Sequence, residues 1–289
     1  MLRIATRGSA LARRQAERVA ELLGTEVELV IVKASGDQRT DVPIHELGGT
    51  GMFVKEVQQA VLDGRADLAQ HSAKDLPAVT PEGLVLAAVP ERADARDALV
   101  GSTFNGLPVG GRVATGSVRR RAQLAAARPD LTFAELRGNV DTRLAKAPQH
   151  DAIVLAAAGL DRLGLGDRAT ERLDTTLMLP MVGQGALAVE CRADDVSTLE
   201  RLAAIDDADA HTAIRAERAF LAQLGGGCSL PCAAFATVHR HHVSIEALLA
   251  AVDGSVVVRA QAESSDPREA GIAVAKAIFD HGGRELLGS

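Results

Sequence analysis

Arginines recur where strands of this sequence are predicted to end, and binding of anions is the chemistry that such positions favour. The clearest case is RVATGSVRRRAQ at 112–123, a short strand and a turn followed by a helix that opens with Arg119, Arg120 and Arg121. A helix start presents unpaired N–H groups and the positive end of the helix dipole, and guanidinium groups match carboxylate or phosphate oxygens. Taken alone, the arginine run is more typical of a solvated basic helix face than of an anion site.

A second copy of this pattern favours the anion site. RIATRGS at 3–9 resembles RVATGS at 112–117 with one residue dropped, and both lead into helices with paired arginines. We therefore expect two similar α/β domains whose strand ends face one cleft, which suits a ligand with several carboxylates. Because successive helical residues point about 100° apart, Arg121 is expected to face solvent. The arginines at or just after predicted strand ends are Arg7, Arg119, Arg120, Arg137 and Arg143.

Two further stretches could carry chemistry. Lys74 and Asp75 follow a predicted strand at 67–72, and Pro77 prevents a helix from continuing there, so the pair lies either at a ligand-binding strand end or on an ordinary surface loop. Cys228 follows a helix in a glycine-rich loop. The negative end of that helix does not lower a thiol pKa, which favours one permanent covalent attachment over a cycling nucleophile.

The remaining cysteines and a histidine cluster give no metal site. Cys191 and Cys232 are expected to be structural, because buried cysteine usually packs as a small apolar residue. Strand alternation would place His239 and His241 on one face, but no carboxylate is close in sequence, so we predict no metal.

Composition restricts the class of partner. The 289 residues are 47% hydrophobic but only 2% aromatic, so the cores should be aliphatic. A net charge of −6 and few stacking side chains argue against nucleic-acid binding. No apolar run approaches the ~20 residues of a membrane span, and the start lacks the apolar core of a signal peptide. Three cysteines without a CxxC pair fit a reducing compartment, so we expect a cytoplasmic protein.

The order of elements predicts two α/β blocks followed by an α+β block. Ser9 and Asp209 are predicted helix N-caps, 33–51 a long lid-like loop, 159–166 a turn, and 178–191 a segment that returns to the first block. The predicted strands are 2–6, 26–32, 67–72, 84–89, 112–115, 131–136, 151–157, 233–238, 243–250 and 255–260.

A set of motifs in fixed order resembles the porphobilinogen deaminase (hydroxymethylbilane synthase) family across essentially the whole chain. The motifs are RIATRGS, GMFVKE, HSAKDLP, TGSVRRRAQL, LRGNVDTRL, LAAAGLDRLGL, VGQGALAVECR and GGGCSLP. Each is weak alone, but their order and spacing are specific.

The resemblance implies an α/β fold of two periplasmic-binding-protein-like α/β domains plus a smaller C-terminal α+β domain with an antiparallel sheet. The implied domains are 1–94 with 183–205, 97–180, and 208–289. The implied activity is that of a transferase that joins four porphobilinogen units head to tail into hydroxymethylbilane, releasing ammonia. A monomer that hands its product to the next enzyme of tetrapyrrole synthesis is also implied.

The resemblance also implies the roles of residues. Asp75 matches the catalytic aspartate that supports the pyrrole N–H and moves protons, and Cys228 matches the cysteine that holds a dipyrromethane cofactor by a thioether. The matches to cofactor-binding positions are Lys74, Asp75, Thr115, Ser117, Arg119 and Arg120. The matches to substrate-binding or neighbouring positions are Arg7, Ser9, Arg137, Arg143, Lys55, Phe53 and Gln184. Gly116 and Thr50 depart from the serine and lysine that many members carry.

A non-catalytic receptor for small polycarboxylate anions is the alternative, because two similar α/β halves around a basic cleft would also suit reversible binding. It predicts no covalent adduct and no need for Cys228.

Overall fold

The computed structural model of the chain describes residues 1–33, 54–225 and 230–287. Its strands are β1 Leu2–Arg7, β2 Val27–Val32, β3 Leu68–Ser72, β4 Leu84–Ala88, β5 Asp97–Val100, β6 Arg112–Ala114, β7 Thr132–Ala134, β8 Ala152–Ala156, β9 Glu171–Arg172, β10 Leu187–Arg192, β11 Cys232–His239, β12 His242–Ala250 and β13 Val257–Ser264. Its α-helices are α1 Ala10–Leu23, α2 Lys55–Leu62, α3 Val118–Ala127, α4 Val140–Lys146, α5 Ala157–Arg162, α6 Val196–Ala203, α7 Ala208–Gln223 and α8 Pro267–Asp280.

The two α/β sheets have the same strand pattern. The first has the order β2-β1-β3-β10-β4 and the second β7-β6-β8-β5-β9, so β1 corresponds to β6, β3 to β8 and β10 to β5. In both sheets the first three strands run parallel, and the fourth, β10 or β5, is antiparallel to them. β5 and β10 each follow a segment that crosses between the sheets, which confirms that the chain returns to its first block through 178–191.

The corresponding helix starts are built alike. Ser9 caps α1 by accepting a hydrogen bond from the Ala12 N–H at 3.3 Å, and Ser117 caps α3 by accepting one from the Arg120 N–H at 3.4 Å. Such caps satisfy one of the orphan donors of the first turn. The internal similarity seen in the sequence is therefore a repeated strand, turn and capped helix.

The C-terminal sheet has the order β11-β12-β13, is antiparallel throughout, and carries α7 and α8 on one face. The two helices pack closely at Gly271, where a Cβ would collide with the carbonyl oxygen of Ala216. Phe220 is fully buried in this core, and the other largest fully buried side chains of the described residues are leucine, isoleucine and methionine. This confirms the expectation of aliphatic cores.

Four local predictions were wrong. The N-cap of α7 is Asp207, not Asp209, because the carboxylate of Asp207 accepts from the Ala210 N–H at 2.8 Å. Most of the predicted turn at 159–166 belongs to α5 and the residues that end it. The third strand of the last sheet runs from Val257 to Ser264 rather than over 255–260.

The fourth correction concerns the histidines. Arg240 and His241 have φ values of 48° and 68° and form a two-residue hairpin turn, while His239 pairs directly with His242. A turn with two positive φ values interrupts strand alternation, so His239 and His241 do not share a face. The described residues contain no group of three or more side chains that could hold a metal ion.

Candidate active site

Asp75 lies where β3 ends. The strand stops at Ser72 and a single 3-10 turn, Ala73–Asp75, follows, with the Ala73 N–H donating to the Ala186 carbonyl at 3.0 Å. The Asp75 carboxylate is 27% exposed and lies 3.7 Å from a guanidinium nitrogen of Arg7, which ends the neighbouring strand β1. The parallel pairing of β1 with β3 thus brings these two predicted residues together at one edge of the sheet.

A network of amides and hydroxyls, which no sequence pattern indicated, supports this edge. The Gln15 side chain on α1 donates to the Ser72 hydroxyl at 2.9 Å, and the Thr6 hydroxyl donates to the Gln70 amide oxygen at 3.1 Å. Gln15 is one of the buried residues of α1, so only its helical position among Ala12, Ala16 and Val19 could have indicated an inward polar group. A small cavity here is lined by Arg7, Ala12, Gln15, Val54, Gln70, His71, Ser72 and Asp75.

The equivalent turn in the second sheet holds Thr115 and Ser117. The Thr115 hydroxyl accepts from the Ser117 N–H at 3.2 Å, so both predicted hydroxyl residues shape the start of α3. A Cβ at Gly116 would lie 2.8 Å from the Leu136 carbonyl oxygen. A serine at this position would therefore require these two backbone segments to lie farther apart than they do here.

Arg119 and Arg120 converge on Asp97, a fully buried carboxylate that the sequence analysis did not identify. A guanidinium nitrogen of Arg119 lies 2.8 Å from Asp97 Oδ2, and Nε of Arg120 donates to Asp97 Oδ1 at 2.8 Å. The Arg119 guanidinium also donates to the Leu179 carbonyl and that of Arg120 to the Val154 carbonyl, at 2.7 and 3.0 Å.

These contacts change the interpretation of the arginine run. The side chains of Arg119 and Arg120 are 4% and 7% exposed, so they face the protein interior, and a ligand carboxylate reaching them would share them with Asp97. Burial of Asp97 raises its pKa, but the two adjacent guanidinium charges outweigh burial and hold the pKa below the usual value. Arg121 is exposed, as predicted, and its guanidinium lies 5.8 Å from the centre of the Phe133 ring.

Lys74 and Arg143 show that charges of both domains act in one cleft. Burial lowers the pKa of Lys74 to about 8; Asp75 opposes that shift, while Arg120 and Arg143 of the second domain add to it. Burial lowers the pKa of Arg143 to about 10, with the charges of Arg120 and Arg137 adding to the shift and Asp75 opposing it. Asp75 is thus an acidic group within a surplus of cations.

Gln184 belongs to the segment that crosses back to the first sheet. Its buried amide donates to the Ala95 carbonyl at 2.7 Å and to Asp97 Oδ1 at 3.1 Å, which ties the two crossing segments together. Gly183, beside it, has a φ of 74°, and a Cβ there would lie 2.7 Å from the backbone of Ala73. Gln184 therefore lies where the two crossing segments meet, behind the turn that carries Asp75.

Of the remaining predicted site residues, Arg137 and Lys55 lie within the described part of the chain, and the others lie outside it. Arg137 is half-buried, and its carbonyl accepts from Lys146 at 3.2 Å. Lys55 is exposed at the first residue of α2, and no hydrogen bond or ion pair joins its side chain to another described residue. Phe53, Cys228 and Thr50 lie outside the described residues, as does most of the predicted lid at 33–51.

The arrangement fits acid–base chemistry on a small molecule with several carboxylates. A carboxylate beside a guanidinium can accept and return a proton, while the surrounding cations bind anionic substituents. Among the helices that the structure describes, none is long and apolar enough to cross a membrane.

Comparison with known proteins gives a consistent result. The family model described as "Porphobilinogen deaminase, dipyromethane cofactor binding domain" matches residues 2–200, and "Porphobilinogen deaminase, C-terminal domain" matches 211–280. Proteins named porphobilinogen deaminase from Syntrophotalea carbinolica and Acidithiobacillus ferrooxidans are 50% and 47% identical, covering 89% and 99% of this chain and 85% and 97% of theirs. A solved structure of a periplasmic His/Glu/Gln/Arg/opine family-binding protein from Silicibacter pomeroyi aligns over 71% of this chain and 89% of its own at 14% identity, with a TM-score of 0.37.

Proposed function

The chain belongs to the porphobilinogen deaminase family, and we propose that the cleft around Asp75 is where it joins four porphobilinogen units into hydroxymethylbilane. One observation supports placing the reaction at this cleft. The Asp75 carboxylate, just after the end of β3, lies 3.7 Å from a guanidinium nitrogen of Arg7, within the field of cations that both α/β domains contribute. The acetate and propionate groups of porphobilinogen are the anions that these cations suit.

The role of Asp75 follows from its position. Its carboxylate oxygens can accept a hydrogen bond from the pyrrole N–H of the substrate. One of them can then hold the pyrrole proton while the protonated amino group leaves as ammonia. Arg7 keeps the carboxylate at the strand end. Lys74, whose pKa burial lowers to about 8, binds a substrate carboxylate as a cation near neutral pH and can also release its proton there.

The site fits a dipyrromethane cofactor, because its buried cations suit the carboxylates that this cofactor carries. Burial lowers the pKa of both Lys74 and Arg143, so bound carboxylates would relieve the cost of keeping these cations charged. When attached, the cofactor supplies the free pyrrole position that the growing chain extends. We assign its thioether link to Cys228, which follows α7 closely in sequence.

Arg119 and Arg120 of the second domain have two proposed roles: they add positive charge to the cleft and can contact a cofactor carboxylate. Arg120 adds its charge to the field at Lys74, which supports the attraction of carboxylates to the cleft. A cofactor carboxylate that reaches Arg119 or Arg120 has to share them with Asp97. The hydroxyls of Ser9, Thr115 and Ser117 hold the two turns that frame the cleft.

Substrate binding is proposed for Arg7, Arg137 and Arg143. Gln184 supports the site from the crossing segment behind it. Lys55 and Phe53 stay proposals from the family resemblance alone. We also propose that the protein works as a cytoplasmic monomer and passes hydroxymethylbilane to the enzyme that consumes it.

Intact mass and turnover test the proposal together. The parent should carry a mass increment of two joined pyrrole units that survives denaturation, and Cys228→Ala should lack it. Asp75→Ala should fold and keep the increment but lose turnover, whereas Asp67→Ala, at the other end of β3, should keep turnover. A parent without any adduct when made with substrate available, or Asp75→Ala with near-normal turnover, would refute the assignment and favour a reversible receptor.

A further inference from the structure

A buried polar cluster lies behind the turn that carries Asp75. Its centre is Glu190 on β10, which is fully buried. Glu190 Oε2 accepts from the Gln58 amide on α2 at 2.8 Å and lies 3.2 Å from Nε2 of the equally buried His71 on β3. Glu190 Oε1 is buried and has no hydrogen-bond partner among the described residues. We call these residues, together with Arg218, the Glu190 cluster.

Arg218 brings the C-terminal domain into this cluster. It lies on α7, is 9% exposed, and one guanidinium nitrogen donates to the Thr80 hydroxyl at 3.0 Å. The second terminal nitrogen of the guanidinium group, Nη1, is buried and has no hydrogen-bond partner in the described parts of the chain. Burial raises the pKa of Glu190, but His71, Gln58 and the charge of Arg218 outweigh burial and hold the pKa below its usual value. Glu190 is thus a buried anion with a cation of another domain nearby.

The cluster is continuous with the catalytic turn. His71 is the next-to-last residue of β3 and stands four positions before Asp75. The strand that carries Glu190 pairs with β3 at Ala188 and His71, and the Ala186 carbonyl just before it binds the turn at the Ala73 N–H. The positions of β10 and His71 therefore determine where the Asp75 carboxylate lies.

Stability alone is a poor explanation for this arrangement. A buried ion pair often contributes no more stability than apolar residues of similar volume, and an unpaired buried polar atom costs free energy. Here both Glu190 and Arg218 keep such an atom, and the group lies directly behind the site. In some proteins, buried ionic groups that do not repay their desolvation impose a specific geometry, and the position of this cluster behind the catalytic turn favours that role here.

We propose that Glu190 is a positioning residue of the deaminase reaction. Through His71 and β3 it fixes the turn that carries Asp75, while the hydrogen bond from Arg218 to Thr80 joins the C-terminal domain to the segment that follows this turn. This inference rests on the proposed role of Asp75.

The test is Glu190→Gln, which keeps the side-chain shape and removes the charge. The variant should retain the covalent adduct and a KM for porphobilinogen within a small factor of the parent, because Glu190 contacts none of the proposed substrate-binding groups. Its kcat should fall by about 10- to 100-fold, since a displacement of about 1 Å at a reacting group can cost that much. Asp67→Asn is the matched control, because Asp67 pairs with Arg3 at 2.7 Å at the opposite end of β3. It should lower Tm and leave kcat unchanged.

The outcomes separate the two proposals. A Glu190→Gln protein with a lower Tm but a kcat within about twofold of the parent would show a purely structural role and overturn the inference. If that variant does not fold, His71→Asn, which leaves Glu190 with Gln58, should show the same loss of kcat, and normal kcat there overturns the inference equally. Asp75→Ala measured in parallel reports on the proposed function: if it is inactive while these variants turn over normally, only the positioning role fails.

Discussion

Replacing Lys74 by methionine should make the protein more stable and inactive at the same time. Burial lowers the pKa of Lys74 from 10.5 to about 8, with Asp75 and Asp97 opposing the shift and Arg120 and Arg143 adding to it. The difference of about 2.5 pKa units, at about 1.36 kcal/mol each, disfavours the charged form in the fold by about 3 kcal/mol. This is an upper bound, because the half-buried ammonium keeps some contact with water. Methionine has similar length and no charge, so it avoids this cost.

The difference in stability between the parent and the Lys74→Met variant should depend on pH. Because the folded pKa of Lys74 lies below the unfolded one, the unfolded chain binds more protons between pH 8 and pH 10.5, and the free energy of unfolding of the parent rises across that window. The methionine variant lacks this rise. Its advantage should therefore be complete below pH 8, shrink as the pH increases, and disappear above pH 10.5.

Urea unfolding at about pH 7, pH 9 and pH 11 measures the difference. Both proteins should carry Cys228→Ala, so that no attached carboxylates change the charge around Lys74. Lys276→Met makes the same substitution at a side chain that is 75% exposed, and it should produce no such pH-dependent gap. A gap that is the same at all three pH values, or a Lys74→Met protein less stable than the parent at pH 7, would contradict the reasoning.

Three further changes test the supports of the site. Asp97→Asn should lower the free energy of unfolding by about 3 to 5 kcal/mol in urea titrations, because it leaves two buried guanidinium groups without their anion; a loss below about 1 kcal/mol would contradict this. Glu217→Gln should cost about 3 kcal/mol in the same assay, since the fully buried carboxylate pairs with Arg92 at 2.6 Å and accepts the Gly183 N–H at 2.7 Å. Gly183→Ala should reduce kcat far more than Gly110→Ala: both glycines have a φ of 74°, but only at Gly183 would a Cβ press on the turn before Asp75. Equal kcat in the two alanine variants would show that the contact does not position the turn.

The sequence predicted the elements around the site well because their signals are local. Ser9 precedes an apolar helical periodicity and caps α1, and the strand predicted at 67–72, just before Lys74 and Asp75, ends at Ser72, as β3 does. The motif order identified the family before any contact was known. Asp207 was missed as the cap of α7 because Asp209 offers the same local signal two residues later. The hairpin between the strands at 233–238 and 243–250 was predicted, but the positive φ values of Arg240 and His241 at its turn were not, because such two-residue turns usually contain Asn, Asp or Gly.

The sequence by itself determined where strands end, which helix starts could bind anions, and which family shares these motifs, since each depends on neighbours within a few positions. Only the tertiary structure decided what the arginines contact. Arg120 reaches Asp97, 23 residues away, and Gln58 reaches Glu190, 132 residues away. Partners so distant along the chain are chosen by sheet order and packing, and no local pattern encodes them. Arg119 and Arg120, which first indicated a ligand site, therefore form a buried ion-pair cluster with Asp97 in the fold, whereas Arg121 is exposed.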